Sequence, residues 1–209
     1  MKPIKNLLLF LFLLFLNVSI AQKNIKNSFI IPQGYERVNP NNYHKWLINQ
    51  PLIFDSPVKI YQGDIVYGLN DIYIAKFDYS IGVKNLHQCA DAAMYFNATY
   101  LYETNQWDRI NYHFDETYSF PFKRYVWRTH TNDKTALKKY LEKVWAGAGS
   151  LSLDKFDTDP VSLKEAIAGD LIIEGGSPGH VITIVDVIVN KTTGVKKYML
   201  AQSYMPAQE

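Results

Sequence analysis

The sequence predicts an α+β fold with a helix that carries Cys89 and, in the last third of the chain, an antiparallel β-sheet whose long strand begins at His180. Apolar residues recur at helical spacing through residues 86–101. The last third of the chain instead alternates β-branched runs with two turn-rich segments, residues 175–179 and 191–194. This change from helical to strand periodicity indicates a mixed fold with a C-terminal hairpin.

Residues 1–21 have the pattern of a secretory signal peptide. Lys2 and Lys5 form a basic start, residues 7–16 an apolar stretch, and Ser19-Ile20-Ala21 a cleavage site with small residues. A transmembrane helix needs roughly 20 apolar residues, so the stretch is short for a membrane span. An uncleaved anchor is the alternative. We expect an exported protein, periplasmic or secreted, with no membrane span after signal removal.

Residues 22–209 have the size of one domain. Removal of the signal peptide takes the net charge from +2 to near zero and leaves no basic block, which gives no reason to expect a nucleic-acid partner. One cysteine and scattered histidines show no metal-ligand spacing, so no metal or cofactor is expected. The oligomeric state is not indicated.

The first half of the chain is predicted to contain a short helix capped by Asn41 or Asn42. Two short strands follow around Gly63-Asp64, and a longer strand covers residues 71–80. Asn85 and Gln88 resemble a capping box, which places the start of the Cys89 helix at Leu86.

Further elements follow the helix that carries Cys89. Residues 110–114 and 123–130 are predicted as strands. A second helix over residues 135–146 is capped by Asn132 or Asp133 and stopped by Gly147. A capped helical turn at Ser162 then precedes strands at 171–174, 180–189 and 196–204.

Cys89 is the only cysteine of the chain, so it forms no internal disulfide. In an exported protein an unpaired cysteine is either a reactive thiol or a small buried apolar residue. A helix N-terminus beside a histidine favours the thiolate, lowering a thiol pKa from about 8.5 to roughly 3.5–7.5. The position of Cys89 in the first helical turn therefore makes it a candidate nucleophile.

His180 is the best candidate base among five histidines. It opens an apolar strand directly after a glycine-rich loop, whose flexible backbone permits close approach of a ligand. His87 is expected to point away from the thiol. The other three histidines, at positions 44, 113 and 130, are interpreted as structural or solvated.

A hairpin centred near Thr192 pairs His180 with Tyr204 and places Gln202 on the same sheet face. Gln202 is therefore the candidate that orients the imidazole, whereas Asp186 lies about 20 Å along the strand. The Cys89 N–H and the Gln88 amide are candidate oxyanion donors. The predicted substrate-binding residues are Gly175, Gly176, Ser177, Gly179 and Tyr204.

The order of these residues resembles papain-like cysteine hydrolases of the NlpC and CHAP type. Cys89, Gly169-Asp170, His180 and Gln202 match the helix-borne nucleophile, the Gly-Asp strand, the catalytic histidine and its orienting residue. The resemblance implies a papain-like arrangement, with the Cys helix packed on the His-bearing sheet.

The motifs QGYERV, QCADAAM, GGSPGH and LAQSYMPAQ resemble a family of exported bacterial proteins that is a domain of unknown function. The resemblance covers residues from about 33 onward and implies export but no established activity. Members of that family usually continue beyond MPAQ, so this chain is expected to be a fragment.

The leading hypothesis is an exported thiol hydrolase that cleaves an amide in a peptide or cell-wall-derived substrate. In the alternative, the protein is a non-catalytic module whose aromatic residues, Trp127 among them, bind a glycan or peptide, with Cys89 in the core. A third possibility is a component of a surface assembly.

Overall fold

The computed structural model describes residues 22–38, 40–68 and 72–209. The predicted signal peptide lies outside these residues. The helices are α1 (Ile25–Ser28), α2 (Asn42–Ile48), α3 (Cys89–Glu103), α4 (Phe122–Thr129), α5 (Lys134–Trp145) and α6 (Ser150–Ser152). The strands are β1 (Tyr35–Arg37), β2 (Leu52–Ile53), β3 (Lys76–Phe77), β4 (Leu171–Glu174), β5 (His180–Asn190) and β6 (Lys196–Ala201). A 3₁₀ turn covers Trp107–Arg109, and a π-helical segment covers Leu153–Asp157.

The main sheet is antiparallel and is organised around β5. β6 pairs with one edge of β5, whereas β4 and β1 pair with the two ends of its other edge. The predicted hairpin is confirmed, since Asn190 N–H donates to the Val195 carbonyl across the turn. Thr183 pairs with Ala201, which is the predicted register, and an irregularity at Ile184 shifts the remaining pairs. The structure is therefore α+β, as the sequence predicts.

Helix α3 begins at Cys89, so the prediction of a start at Leu86 is wrong. Asn85 does not cap the helix, because its Oδ1 accepts the Ala207 N–H at 2.8 Å. Gln88 is the N-cap, and its N–H donates to Asp91 Oδ2 at 2.9 Å. This bond provides half of a capping box, shifted three residues along the chain from the predicted one.

Residues 122–129 form helix α4, so the strand predicted over 123–130 is wrong. The helix buries Phe122 and Tyr125, one turn apart, against Tyr140 of α5 at ring-centroid distances of 5.1 and 5.8 Å. Helix α5 is confirmed, and Asp133 caps it by accepting the Ala136 N–H at 2.7 Å.

The predicted strand over 71–80 is reduced to Lys76–Phe77, which pairs with β2. Ile72 and Ile74 are 71% and 70% exposed, because no strand pairs with them in the described chain. Residues 110–114 also form no strand beyond a single bridge between His113 and Ser119.

Two apolar clusters form the core, and α3 contributes to both. Met94 and Ala98 belong to the cluster that α4 and α5 complete, and Val181 of β5 joins it. Phe96 belongs to the other cluster, which contains Ile184 and the inner residues of α2. Helix α3 therefore packs directly against β5, near the strand's first residues. In the described ranges no helix is long and apolar enough to cross a bilayer.

Candidate functional site

Cys89 is the first residue of α3 and is half-buried. The first N–H groups of a helix have no acceptor within the helix, and the helix dipole places positive partial charge there. The Cys89 backbone and thiol therefore lie where negative charge is stabilised. Asp91, two residues further, is 6% exposed, and burial raises its pKa to about 7 although the Gln88 N–H bond opposes this.

His180 is held by Gln202, as the sequence predicts. His180 Nε2 lies 2.7 Å from Gln202 Oε1. An amide oxygen only accepts, so Nε2 carries the proton and Nδ1 of the neutral ring is left as an acceptor. Tyr204 lies beside them, with its ring centroid 5.1 Å from that of His180 and its side chain 52% exposed.

A buried contact joins the segment after β6 to the segment before α3. Ser203 Oγ lies 2.9 Å from the carbonyl oxygen of His87 and 2.6 Å from that of Gln208, so its one proton goes to either. Ser203 follows Gln202, and His87 precedes Cys89 by two residues. The same contact therefore brings the His180–Gln202 pair to the start of α3.

Val181 strengthens this placement, because it packs in the same cluster as Ala90 and Ala93 of α3. Cys89, His180 and Gln202 are therefore each adjacent in sequence to a residue that lies where α3 meets β5 or the segment after β6. The thiol and the imidazole are not hydrogen-bonded to one another in the described part of the chain.

The Gln88 amide is engaged with the preceding loop. Its Nε2 lies 3.2 Å from Asn85 Oδ1 and 3.4 Å from the Asn85 carbonyl oxygen. These distances are long, so both contacts are weak hydrogen bonds. The Cys89 N–H has no acceptor in the described residues, as expected for the first position of a helix.

The glycines before His180 permit close contacts within the protein itself. A Cβ atom on Gly175 would lie 2.5 Å from Asp154 Oδ2, and one on Gly179 would lie 2.2 Å from Ser150 Oγ. Ser150 Oγ also lies 3.3 Å from the Gly176 carbonyl oxygen. Intramolecular packing thus accounts for two of the glycines, while Ser177 is exposed and available to a ligand.

His87 is turned away from the solvent, and its environment was not predicted from the sequence. It is 1% exposed and packs between Tyr79, Tyr95 and Trp145, at centroid distances of 5.0–5.4 Å. Neither ring nitrogen has a partner in the described residues. Burial lowers the pKa of His87 to about 4, with Lys138 contributing, so the ring is neutral at pH 7.

A buried charged group at the other end of β5 was also missed. The single N–H of Arg37 Nε is shared between the two carboxylate oxygens of Asp186, at 2.9 and 3.0 Å, and Asp186 Oδ1 lies 2.7 Å from His44 Nε2. Burial opposes ionisation of Asp186, but the bonds from His44 and Arg37 prevail, and its pKa lies below the usual value. The sequence around Asp186 did not indicate this ion pair, because Arg37 and His44 are both more than 100 residues away along the chain.

No group of three or more His, Cys, Asp or Glu side chains in the described ranges is arranged to hold a metal ion.

A half-buried cysteine at a helix start and a histidine held by a glutamine form the candidate site. The family model described as a domain of unknown function (4846) matches residues 25–209, and the chain belongs to that family. Neither a curated protein nor a solved structure matches the chain.

Proposed function

We propose that this protein is an exported cysteine hydrolase, of papain-like arrangement, that cleaves an amide bond in a peptide or cell-wall-derived substrate. The observation that carries the proposal is the 2.7 Å contact between His180 Nε2 and Gln202 Oε1. Ser203, the residue after Gln202, hydrogen-bonds the segment that precedes Cys89 and so links this pair to the start of α3. A histidine whose one nitrogen is held by an amide oxygen presents its other nitrogen in a fixed direction.

The reaction follows from these groups. His180 Nδ1 removes the thiol proton, and the Cys89 sulfur attacks the carbonyl carbon to give a tetrahedral intermediate. The Cys89 N–H and the Gln88 side-chain amide, once it leaves Asn85, stabilise the oxyanion. The protonated imidazole then gives its proton to the leaving amine as the C–N bond breaks. Water, deprotonated by His180, then attacks the thioester carbon, the C–S bond breaks and the carboxylic acid leaves, and the proton on His180 returns to the Cys89 sulfur.

Exposed groups near the histidine supply the contacts for a substrate. Tyr204 offers a ring face next to His180, and Ser177 lies in the loop that leads into β5. Exposed tyrosine rings provide contact area at small conformational cost. We assign these two residues, with the backbone of Gly175, Gly176 and Gly179, to substrate positioning.

The test is the rate of Cys89 alkylation by iodoacetamide between pH 5 and pH 9. A thiolate held by an imidazolium reacts at pH 6, where an ordinary thiol is protonated. His180→Ala should slow alkylation at pH 6 at least tenfold and leave the rate at pH 9 nearly unchanged. Gln202→Ala should also slow alkylation at pH 6, but by a smaller factor. The His180 ring then keeps Nδ1 as its proton acceptor but is no longer held in one orientation.

His130→Asn is the matched control. His130 is exposed and has a φ of 53°, which asparagine tolerates, so this variant should alkylate like the unsubstituted protein. A thiol that reacts only after unfolding would place Cys89 in the core and leave the non-catalytic binding module as the better description.

A further inference from the structure

We propose that the free edge of β6 binds an extended, uncharged polypeptide segment, which joins the sheet as an added strand. A groove of about 430 Å³ follows this edge. This volume lies within the range of ligand sites, ~300–1,000 Å³. Tyr198 and Leu200 point to one face of the sheet and Met199 to the other, yet all three line the groove. The groove therefore runs along the edge of the strand and not along one face.

The backbone groups of β6 that face the groove have no partner in the described part of the chain. On the opposite edge of β5, the Val187 carbonyl accepts an N–H from the residue after β1, and the Ile184 N–H donates to the residue before β4. Val187 and Ile184 therefore turn their backbone groups away from β6, where they lie opposite Tyr198 and Leu200. Residues opposite each other in an antiparallel pair either bond to one another or both point outward. The N–H and C=O groups of Tyr198 and Leu200 thus point out of the sheet edge.

These backbone groups select a polypeptide over other ligands of an apolar groove. They recur at every second residue, about 7 Å apart, which is the spacing at which another extended backbone presents its own donors and acceptors. An acyl chain would leave them without partners, which costs free energy. A sugar would bond to some of them but would give up the water on its hydroxyls against Ile72, Ile74 and Leu200. A strand with apolar side chains satisfies both the backbone groups and the side chains.

The charge of the groove matches an uncharged segment. Among its described lining residues the charged side chains are Lys76 and Glu209, and Lys76 Nζ lies 2.5 Å from Glu209 Oε2. Lys76 Nζ also donates to the Pro57 carbonyl at 2.9 Å. Both charges are therefore already paired, and an acidic or basic segment would lose hydration in the groove without gaining a counter-charge.

A second wall encloses the edge and favours a lone strand over a second copy of the chain. Residues 72–77, which include β3, line the groove together with β6. A second copy would carry the same wall beside its own β6, and two walled edges approach less closely than one walled edge and a free strand. Ile72 and Ile74 of this wall are 71% and 70% exposed, so a bound strand has apolar surface to cover.

The groove also reaches the candidate catalytic site. Gln202, which holds His180, lines it, and so does Ala92, which lies one helical turn after Cys89. If the proposed hydrolase function holds, on which only this point rests, a strand bound along β6 continues towards the thiol. The substrate is then a peptide in extended conformation.

The test is binding of a blocked hexapeptide of alternating valine and threonine, measured by calorimetry and by NMR amide exchange. Binding is measured in Cys89→Ser, so that no thioester forms. The peptide should bind saturably and, at saturation, slow the exchange of the Tyr198 and Leu200 amides at least tenfold. The Lys197 and Met199 amides are the internal control, because they already point towards β5 and should change less than twofold.

Two further controls separate strand pairing from general apolar binding. The same hexapeptide N-methylated at every residue has no backbone donors and should not bind. Ile74→Lys and Leu200→Lys place a charge in the neutral groove and should each weaken binding of the unmodified peptide at least fivefold. Val83→Lys alters an exposed apolar residue outside the groove and should bind like Cys89→Ser alone.

Equal binding of the methylated peptide would overturn the proposal, and so would binding of dodecanoate without binding of the hexapeptide. A dimer that dissociates in Leu200→Lys, with no peptide binding, would overturn it in favour of a second copy of the chain. Bound peptide that leaves the Tyr198 and Leu200 amides unprotected would also contradict it. Alkylation of Cys89 is measured without peptide, so a failed hydrolase test and a failed binding test are distinguishable.

Discussion

His87→Phe should make the free energy of unfolding depend on pH, whereas in the unsubstituted protein two opposing pH effects nearly cancel. His87 has a pKa of about 4 in the folded protein and an ordinary value of 6.5. Between these values the unfolded chain binds the proton and the folded chain does not, so stability rises with pH. At about 1.4 kcal/mol per pKa unit, His87 changes the free energy of unfolding by about 3 kcal/mol.

Asp91 acts in the opposite direction over nearly the same range. Its pKa is about 7 in the folded protein against an ordinary 3.8, so the folded chain binds the proton and stability falls as pH rises through this window. The corresponding change is about 4 kcal/mol. The two effects nearly cancel, and the unsubstituted protein should vary by only about 1 kcal/mol between pH 4 and pH 7.5 from these two groups.

Single substitutions remove the cancellation. In His87→Phe, which keeps the aromatic packing, stability should fall by about 4 kcal/mol from pH 4 to pH 7.5. In Asp91→Asn, which keeps an acceptor for the Gln88 N–H, it should rise by about 3 kcal/mol. The double variant should be nearly flat again. Urea unfolding followed by circular dichroism at half-unit pH intervals measures all four proteins.

Curves for the variants that stay parallel to the unsubstituted protein would refute this reasoning. They would show that neither side chain changes its proton binding on folding. A change in the free energy of unfolding with the predicted sign but half the predicted size would still support it. The size of the change depends on the difference between the folded and unfolded pKa of each side chain.

Two further substitutions test the packing around the sites. Asp186→Ala should lower the free energy of unfolding by about 3 kcal/mol, because it leaves the half-buried Arg37 guanidinium without its counter-charge and the buried His44 without its partner. A loss below about 1 kcal/mol in urea unfolding would contradict this. Gly179→Ala should lower the thermal midpoint by several degrees, because its Cβ would overlap the Ser150 hydroxyl and two backbone oxygens. Gly149→Ala, with no atom within 4 Å of the added carbon, is the control and should melt unchanged; equal midpoints for the two alanine variants would show that the loop adjusts freely.

Helix α3 both carries Cys89 and packs into the core. Cys89 lies at the start of α3, where the backbone stabilises negative charge. Helix α3 and β5 both contribute side chains to the two apolar clusters, so the core fixes the helix relative to the strand that begins at His180.

Local sequence determined the elements whose signals agree with their surroundings. The β-branched run after His180, the turn at Lys191–Gly194 and the capped helix α5 are where the sequence places them. Each contains its own start and stop signals, so little depends on distant residues. The register that brings Gln202 to His180 depends on the turn and on the irregularity between Ile184 and Asp186, which shifts the pairing by one residue.

The sequence interpretation was wrong where one residue pattern is compatible with two kinds of secondary structure. Residues 123–130 are rich in aromatic and β-branched side chains, which predict a strand, yet they form α4 because Phe122 and Tyr125 pack on Tyr140. Residues 71–80 alternate like a strand, but only Lys76–Phe77 finds a partner. Tertiary packing overrides local preference in both segments, since strands need partners that the local sequence does not specify.

By itself, then, the sequence determined a cysteine at a helix start, a histidine at a strand start and a glutamine beside it. Tertiary structure alone decided that the start of α3 contacts the segment after β6, through Ser203 and the His87 carbonyl, which are 116 residues apart. It also decided the burial of His87 between Tyr79, Tyr95 and Trp145. These features arise from contacts between distant segments, whose energies depend on the folded shape rather than on any local pattern.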